Sequence, residues 1–456
     1  MSKGKDFAII NPCTLYQPMG AVYALLGVKG AMPIIHGSQG CSTYIRFQLC
    51  RHFREPVNIA STSMHESAAI YGGEENLIKA LENVISRYNP ELIGVTTSCL
   101  TETIGDDVNW IVGRFKDAVC NDNDKDNDKD NDNTGTAIIP IKTPSYAGTH
   151  LEGYDTTITE LIRHLARKST PVEKLNIIPG ILSSADVLEV KRLLCELNCE
   201  SLMLTDVSES LDSPLTGAIS FLPQEGISIA ELAESANALG TIALCRHASS
   251  GAFFLEEKYG VPAIIGIGPI PIGIQNTDAF LADVNRLTGC EISVSIQKER
   301  GRLIDAMMDA QEYNAGRKVA ICGDPDMVTG MTRFVCELGM KPAVVCSSAG
   351  SGELMDEISI TGRTGRDAEC SPAVITGRDL DDLHQYIQNK RVDLLIGNSY
   401  VERIAKAEGI PLVRVGFPIY DRIGAQRILI LGYRGALHLV DVITNTILEY
   451  EEGVFE

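Results

Sequence analysis

From one end of the chain to the other, short apolar runs of strand length alternate with amphipathic stretches of helical length. In the first third, AMPIIHG, LIGVTTS and AIIPIKT read as strands, while GAVYALLG and ENLIKALENVISRYN read as helices. The middle third repeats the alternation with LNIIPGIL, CESLMLTD, GTIALCR and VPAIIGI. After the charged helical stretch QKERGRLIDAMMDAQEYNAG it returns as KVAICGD, KPAVVCSS, VDLLIGN and IPLVRVG. This is the pattern of parallel sheets covered by helices, and it predicts an α/β fold of three Rossmann-like, doubly wound units. Breaks near residues 168 and 293 give an N-terminal domain over 1–168, a middle domain over 169–293 and a C-terminal domain over 294–456 that ends in a long helix. A chain of 456 residues is too long for one core, which agrees with such a division.

One segment falls outside the alternation. Residues 121–133 read NDNDKDNDKDNDN, yet the sixth-position glycine and twelfth-position glutamate of a calcium loop are both missing. A solvated, disordered acidic insertion that tolerates deletion is the expectation.

The formal net charge of −20 argues against nucleic acid or an anionic membrane surface as a partner, since both reward basic patches. No apolar run approaches the ~20 residues of a membrane helix, and MSKGKDFAII lacks the apolar core of a signal peptide, so the expected location is the cytoplasm. Thiols stay reduced there, which makes each of the 13 cysteines a buried filler, a metal ligand or a reactive group. Cys195, Cys199, Cys322, Cys336 and Cys346 lie in amphipathic or apolar runs and read as packing.

Cys13, Cys41 and Cys99 differ, because they sit in loops rich in glycine, proline, serine or threonine. Cys41 in HGSQGC and Cys99 in VTTSCLTETIGDD fall just past predicted strands, where open α/β sheets bind their ligands. Sulfur ligands favour zinc or iron-sulfur over hard cations, and the paired CxxC spacing of zinc sites is missing. Three single cysteines spread along the domain suit a cluster shared with another chain; three small loop residues with no ligand role is the alternative, and spacing leaves both open. HGSQG is neither a P-loop nor GxGxxG. GDPDM at 323–327 follows a strand and reads as an acidic ligand site or, at least as well, as a turn with a helix cap; Cys245 with His247 is a lone CxH at a strand end that could supply ligands. No Ser-His-Asp or Cys-His set has a local signature, so nothing points to an enzyme complete in one chain.

Four stretches, HGSQGCSTYIRFQLCRHFREPVNIASTSMHESAAIYGGEENL, TTSCLTETIGDDV, TPSYAGTHLEGYD and GFPIYDRIGAQRILILGYRGAL, resemble in order the β-type subunits of the nitrogenase component 1 superfamily. The resemblance covers nearly the whole chain except the acidic insertion. It implies a three-domain subunit paired with a homologous α-type chain in an α2β2 heterotetramer, an iron-sulfur cluster at each αβ interface, and transient docking of the ATP-driven reductase, the Fe protein. Catalytic β subunits supply three cysteines to the [8Fe-7S] P-cluster. Cys41 and Cys99 match two of them, but Tyr16 stands directly before Gln17-Pro18 where the first belongs, and Cys13 lies three residues earlier. NPC, YGGEEN and GFPIYDRIGAQR are similar instead to the assembly subunit NifN. That subunit pairs with NifE on the scaffold where the iron-molybdenum cofactor is matured, and it shares a [4Fe-4S] cluster through the HGSQGC cysteine, here Cys41. The NifN-like scaffold is therefore the expectation, the catalytic β subunit its alternative. In either case Gly37 and Gly40 are expected to let the loop approach the cluster, and Ser38 to donate a hydrogen bond to it. Arg51, His52, Phe53 and Arg54 are expected at the subunit contact.

Overall fold

The computed structural model describes residues 15–123, 135–265 apart from 216, 218 and 219, 270–347, and 372–455 apart from 378 and 379, with the single positions 349 and 358. The expectations for Cys13 and for most of the acidic insertion lie outside the described residues. By contacts the chain forms two compact units, one of Tyr16–Gly266 with Arg286–Cys290, the other including Ile267–Asn285 and Glu291–Glu456.

The first unit carries two four-stranded sheets and the second one five-stranded sheet, all parallel, as the alternation predicts. In the first sheet the strands are β1 (Ala31–His36), β2 (Ala60–Ser61), β3 (Leu92–Thr97) and β4 (Ala137–Ile141), in the order β2-β1-β3-β4. β1 and β3 pair in register from Ala31 opposite Leu92 to His36 opposite Thr97. Every residue of both strands is buried, which explains why they read as continuous apolar runs and not as alternating ones. The two-residue β2 has no such run and escapes detection in the sequence.

Helices cover this sheet. They are α1 (Gln17–Leu26), α2 (Gln39–Phe53), α3 (Glu66–Tyr71), α4 (Glu74–Tyr88), α5 (Cys99–Ile104), α6 (Val108–Asn123) and α7 (His150–Leu165). On one face, Leu77, Leu81 and Val84 of α4 meet Val108, Ile111, Val112 and Phe115 of α6 over Ile34, Ile93 and Val95. On the other, α1 crosses α7 so closely that a Cβ on Gly20 would sit 1.7 Å from the His150 carbonyl oxygen. Pro18 in the first turn of α1, where its missing N–H costs nothing, and a bridge between Tyr16 and Thr149 fix where that helix begins.

The second sheet has β5 (Leu175–Ile178), β6 (Ser201–Met203), β7 (Gly240–Ala243) and β8 (Ala263–Ile265), in the order β6-β5-β7-β8. Two buried tyrosines bind it to the first. The Tyr23 hydroxyl donates to the Leu182 carbonyl at 2.6 Å, and the Tyr154 hydroxyl lies 2.9 Å from Thr205 Oγ1 and accepts the Gly180 N–H.

In the second unit the sheet runs β11-β10-β9-β12-β13, with β9 (Lys318–Gly323), β10 (Lys341–Ser347), β11 (Ala373–Thr376), β12 (Leu394–Gly397) and β13 (Leu412–Arg414). Cys322 and Cys346 are buried there among Ala320, Val344 and Leu395, as packing residues should be. Cys195 and Cys199 depart from that expectation. Cys195 is exposed near the end of helix Ser184–Glu196, and Cys199 is half-buried beyond that helix's end. The chain closes on helix Gly432–Phe455. No described helix is long and apolar enough to cross a membrane.

Candidate cluster site at the first switch point

In the first sheet the chain leaves β1 toward β2 on one side and returns as β3 on the other. The carboxyl ends of β1 and β3 therefore form the topological switch point, where open α/β sheets hold ligands. Both predicted cysteines lie there. Cys41 is the third residue of α2 and half-buried; Cys99 is the first residue of α5 and exposed.

The loops that present them are packed against each other. A Cβ on Gly37 would lie 2.3 Å from Ser98 Oγ, so glycine is required here for loop-on-loop approach. Gly40 meets nothing nearer than Ser38 Oγ at 3.9 Å and leaves space open on the thiol side. Ser38 is the N-cap of α2, and its hydroxyl lies 3.5 Å from Cys41 Sγ. Ser98 caps α5 in a reciprocal box with Thr101, whose hydroxyl also donates to the His36 carbonyl at 3.1 Å. Asp107 accepts from the Trp110 N–H, so the IGDD carboxylates cap and orient.

Tyr16 stands over this site. Its ring packs against Tyr44 at 5.6 Å between centroids, and the phenol pKa is raised, first by partial burial and then by Tyr44, Cys41 and Cys99. The third place beside the two thiols thus holds a neutral phenol at physiological pH. Sequence reasoning singled out Tyr16 but missed Tyr44, three residues beyond Cys41 and so on the same face of α2. It also missed His36, discussed below.

The other described residues singled out in the sequence have contacts within this chain. His52 and Phe53 are buried and stack edge to face at 4.4 Å, which anchors α2 inside its own unit; Arg51 lies over the Phe47 ring, and Arg54 closes the helix with a left-handed backbone. Cys245 is buried and its thiol donates to the Pro179 carbonyl, so it is packing. Asp324 occupies the N-cap position and Pro325 the first turn of helix Pro325–Glu337, which accounts for GDPDM.

Two thiols presented by neighbouring strand-end loops, with Gly37 allowing the loops to approach, fit one side of an iron-sulfur cluster. Among the described residues no three His, Cys, Asp or Glu side chains gather round one point, so a cluster here needs ligands from outside them.

Residues 17–448 match the family described as Nitrogenase component 1 type Oxidoreductase. The chain belongs to that family. It is 44% identical to a nitrogenase molybdenum-iron protein beta chain of Methanococcus maripaludis over 98% of its own length and 96% of the relative's. It is 39% identical to a nitrogenase vanadium-iron protein beta chain of Trichormus variabilis, over 99% of this chain and 97% of that one. A chain of the solved structure "Nitrogenase Cp1 at pH 6.5" superposes with a TM-score of 0.91 at 38% identity, covering 98% of this chain and 95% of the other. These relatives are named as nitrogenase beta chains and not as assembly subunits, which favours the catalytic alternative over the NifN-like scaffold. The preference for the scaffold rested on Tyr16 and on three short stretches, NPC, YGGEEN and GFPIYDRIGAQR, while the similarity to beta chains extends over the whole length.

Proposed function

We propose that this chain is the β-type subunit of a catalytic nitrogenase component 1, paired with a homologous α-type chain in an α2β2 assembly and reduced by the family's Fe protein. The observation that carries the reading is full-length similarity to nitrogenase beta chains, supported by two thiols at the switch point of the first sheet. Cys41 and Cys99 would hold an interface iron-sulfur cluster together with cysteines of the α-type chain. When bound, that group supplies one-electron transfer.

This chain's residues prepare the site. The thiols sit on two loops locked by the contact of Gly37 with Ser98, and Cys41 lies in the first turn of a 15-residue helix, whose free N–H groups favour the negative charge of a thiolate ligand. Ser38 is placed to donate to the sulfur of Cys41, the kind of hydrogen bond that tunes a cluster's potential. Tyr16 and Tyr44 pack ring against ring beside the thiols and place aromatic surface at the edge of the site.

Tyr16 favours a second reading. With a phenol in place of the first cysteine, the described residues offer two thiols and not three, which suits a smaller [4Fe-4S] cluster as in the NifE–NifN scaffold. Purification of the complex without oxygen separates the two. About eight irons per αβ interface, dependent on Cys41 and Cys99, with acetylene reduction when Fe protein and ATP are added, supports the catalytic subunit. About four irons, a reduced-state EPR signal lost in Cys41→Ala and no acetylene reduction identifies the scaffold.

A further inference from the structure

His36 ends β1, five residues before Cys41, and its side chain is fully buried. Both ring nitrogens have partners on other loops. Nδ1 lies 3.2 Å from Thr62 Oγ1 and Nε2 lies 3.2 Å from Asp106 Oδ2. A neutral ring with Nε2–H donating to the Asp106 carboxylate leaves Nδ1 as an acceptor for the Thr62 hydroxyl, whose one proton is shared with the Gly37 carbonyl 3.3 Å away. Each partner continues the network. Thr62 Oγ1 accepts the Gly37 N–H at 3.0 Å, and Asp106 accepts the Gly73 N–H at 3.0 Å. The His36 carbonyl, meanwhile, accepts from Thr101 on the helix that begins with Cys99.

One residue thus touches four segments. They are the loop toward Cys41, the loop after β2, the end of the Cys99 helix, and the turn that starts α4. There is no slack, since a Cβ on Gly73 would come within 2.7 Å of both the His36 ring and the Asp106 carboxylate. Immediately before that turn, Ile70 and Tyr71 of α3 are 75% and 88% exposed.

We propose that His36 is a positioning residue for the cluster site, holding the Cys41 loop and the Cys99 helix in fixed relation through Thr62 and Asp106. The inference rests on the proposed function, because the group whose environment it sets is the interface cluster. A buried ring with a partner at each nitrogen over-determines loops that would otherwise sample open states, as loops at strand ends do. His36 does not touch the cluster's ligands; it acts on the sulfur environment through where the two loops stand.

The test uses the intact complex with His36→Leu, which keeps bulk and removes both hydrogen bonds, and His36→Gln, whose amide can donate to Asp106 and accept from Thr62. Hydrogen exchange of residues 37–41 and 99–104 is read beside iron content and the midpoint potential of the interface cluster. His36→Leu is expected to speed exchange in both segments by roughly tenfold or more and to shift the potential while iron content holds. His36→Gln is expected to restore both. If His36→Leu disrupts assembly, Thr62→Val and Asp106→Asn each sever one arm and are expected to act in the same direction, more weakly. Wild-type exchange and potential in all variants that assemble, or a Gln variant no better than Leu, overturns the proposal. A wild-type complex with no interface iron would overturn the functional reading, while the exchange data would still decide whether His36 holds the loops.

Discussion

The first and second sheets have the same strand order and hence the same kind of switch point, between β1 and β3 in one and β5 and β7 in the other. At both, a glycine just past the inner strand is met by a side chain from across the gap. Gly37 is met by Ser98, Gly180 by the sulfur of Cys245, which a Cβ on Gly180 would approach to 2.5 Å. The second switch point is closed by its own protein, with the thiol turned inward to a carbonyl and the Gly180 N–H taken by Tyr154. At the first, a serine takes the inward place and the next residue, Cys99, faces out. A cysteine's role here follows from which of two neighbouring positions it fills, and only one position leaves sulfur available to a partner.

The largest contrast is expected on removing sulfur. Cys41→Ala should abolish or halve interface iron, whereas Cys245→Ala should leave iron unchanged and cost about 1–2 kcal/mol of stability for the buried volume lost; metal analysis and thermal unfolding of the two complexes measure both. Equal iron loss in the two would end the distinction between the switch points. A smaller effect is expected at the loop contact. Gly37→Ala forces Ser98 aside and should cost about 1–3 kcal/mol, most of it recovered in the double variant with Ser98→Gly. A double-mutant cycle by denaturant unfolding would show coupling near zero if the two loops do not touch.

The smallest effect concerns pH. Burial lowers the pKa of His36, outweighing the Asp106 carboxylate beside it, so the folded state holds the ring neutral. Its ordinary value is about 6.5 in an unfolded chain, so the stability contributed by the neutral ring is present above that pH and is lost as pH falls through the folded value. Wild-type stability is expected to fall more steeply than that of His36→Gln between about pH 6.5 and 5, and superimposable profiles would remove His36 from the account.

The sheets were legible because both faces of each parallel strand are buried, leaving runs such as LIGVTT that only a covered strand explains. β2 and β11 were not, being two and four half-buried residues, the one without an apolar run and the other with only the three residues Ala373 to Ile375. Cys41 and Cys99 could be picked out by their loops. His36 could not, although it stands inside HGSQGC, because its partners Thr62 and Asp106 lie 26 and 70 residues away and no local pattern joins them. The exposure of Cys195 was missed for a related reason. Helical spacing does not show where the helix stops, and it stops at Glu196, between the two cysteines, nor which way its last turn faces.

The register of β1 against β3 works as a ruler. His36 and Thr97 are opposite one another on the ladder, and the two thiols follow at five and two residues, so their separation is inherited from backbone pairing about 4.8 Å apart and not from the loops alone. In the sequence the long acidic run falls between α6 and β4, outside both of these short connections. A single residue inserted between His36 and Cys41, or between Thr97 and Cys99, would change the reading on the ruler. Length variation in this chain should therefore be tolerated by the dozen in one place and refused one residue at a time in the other.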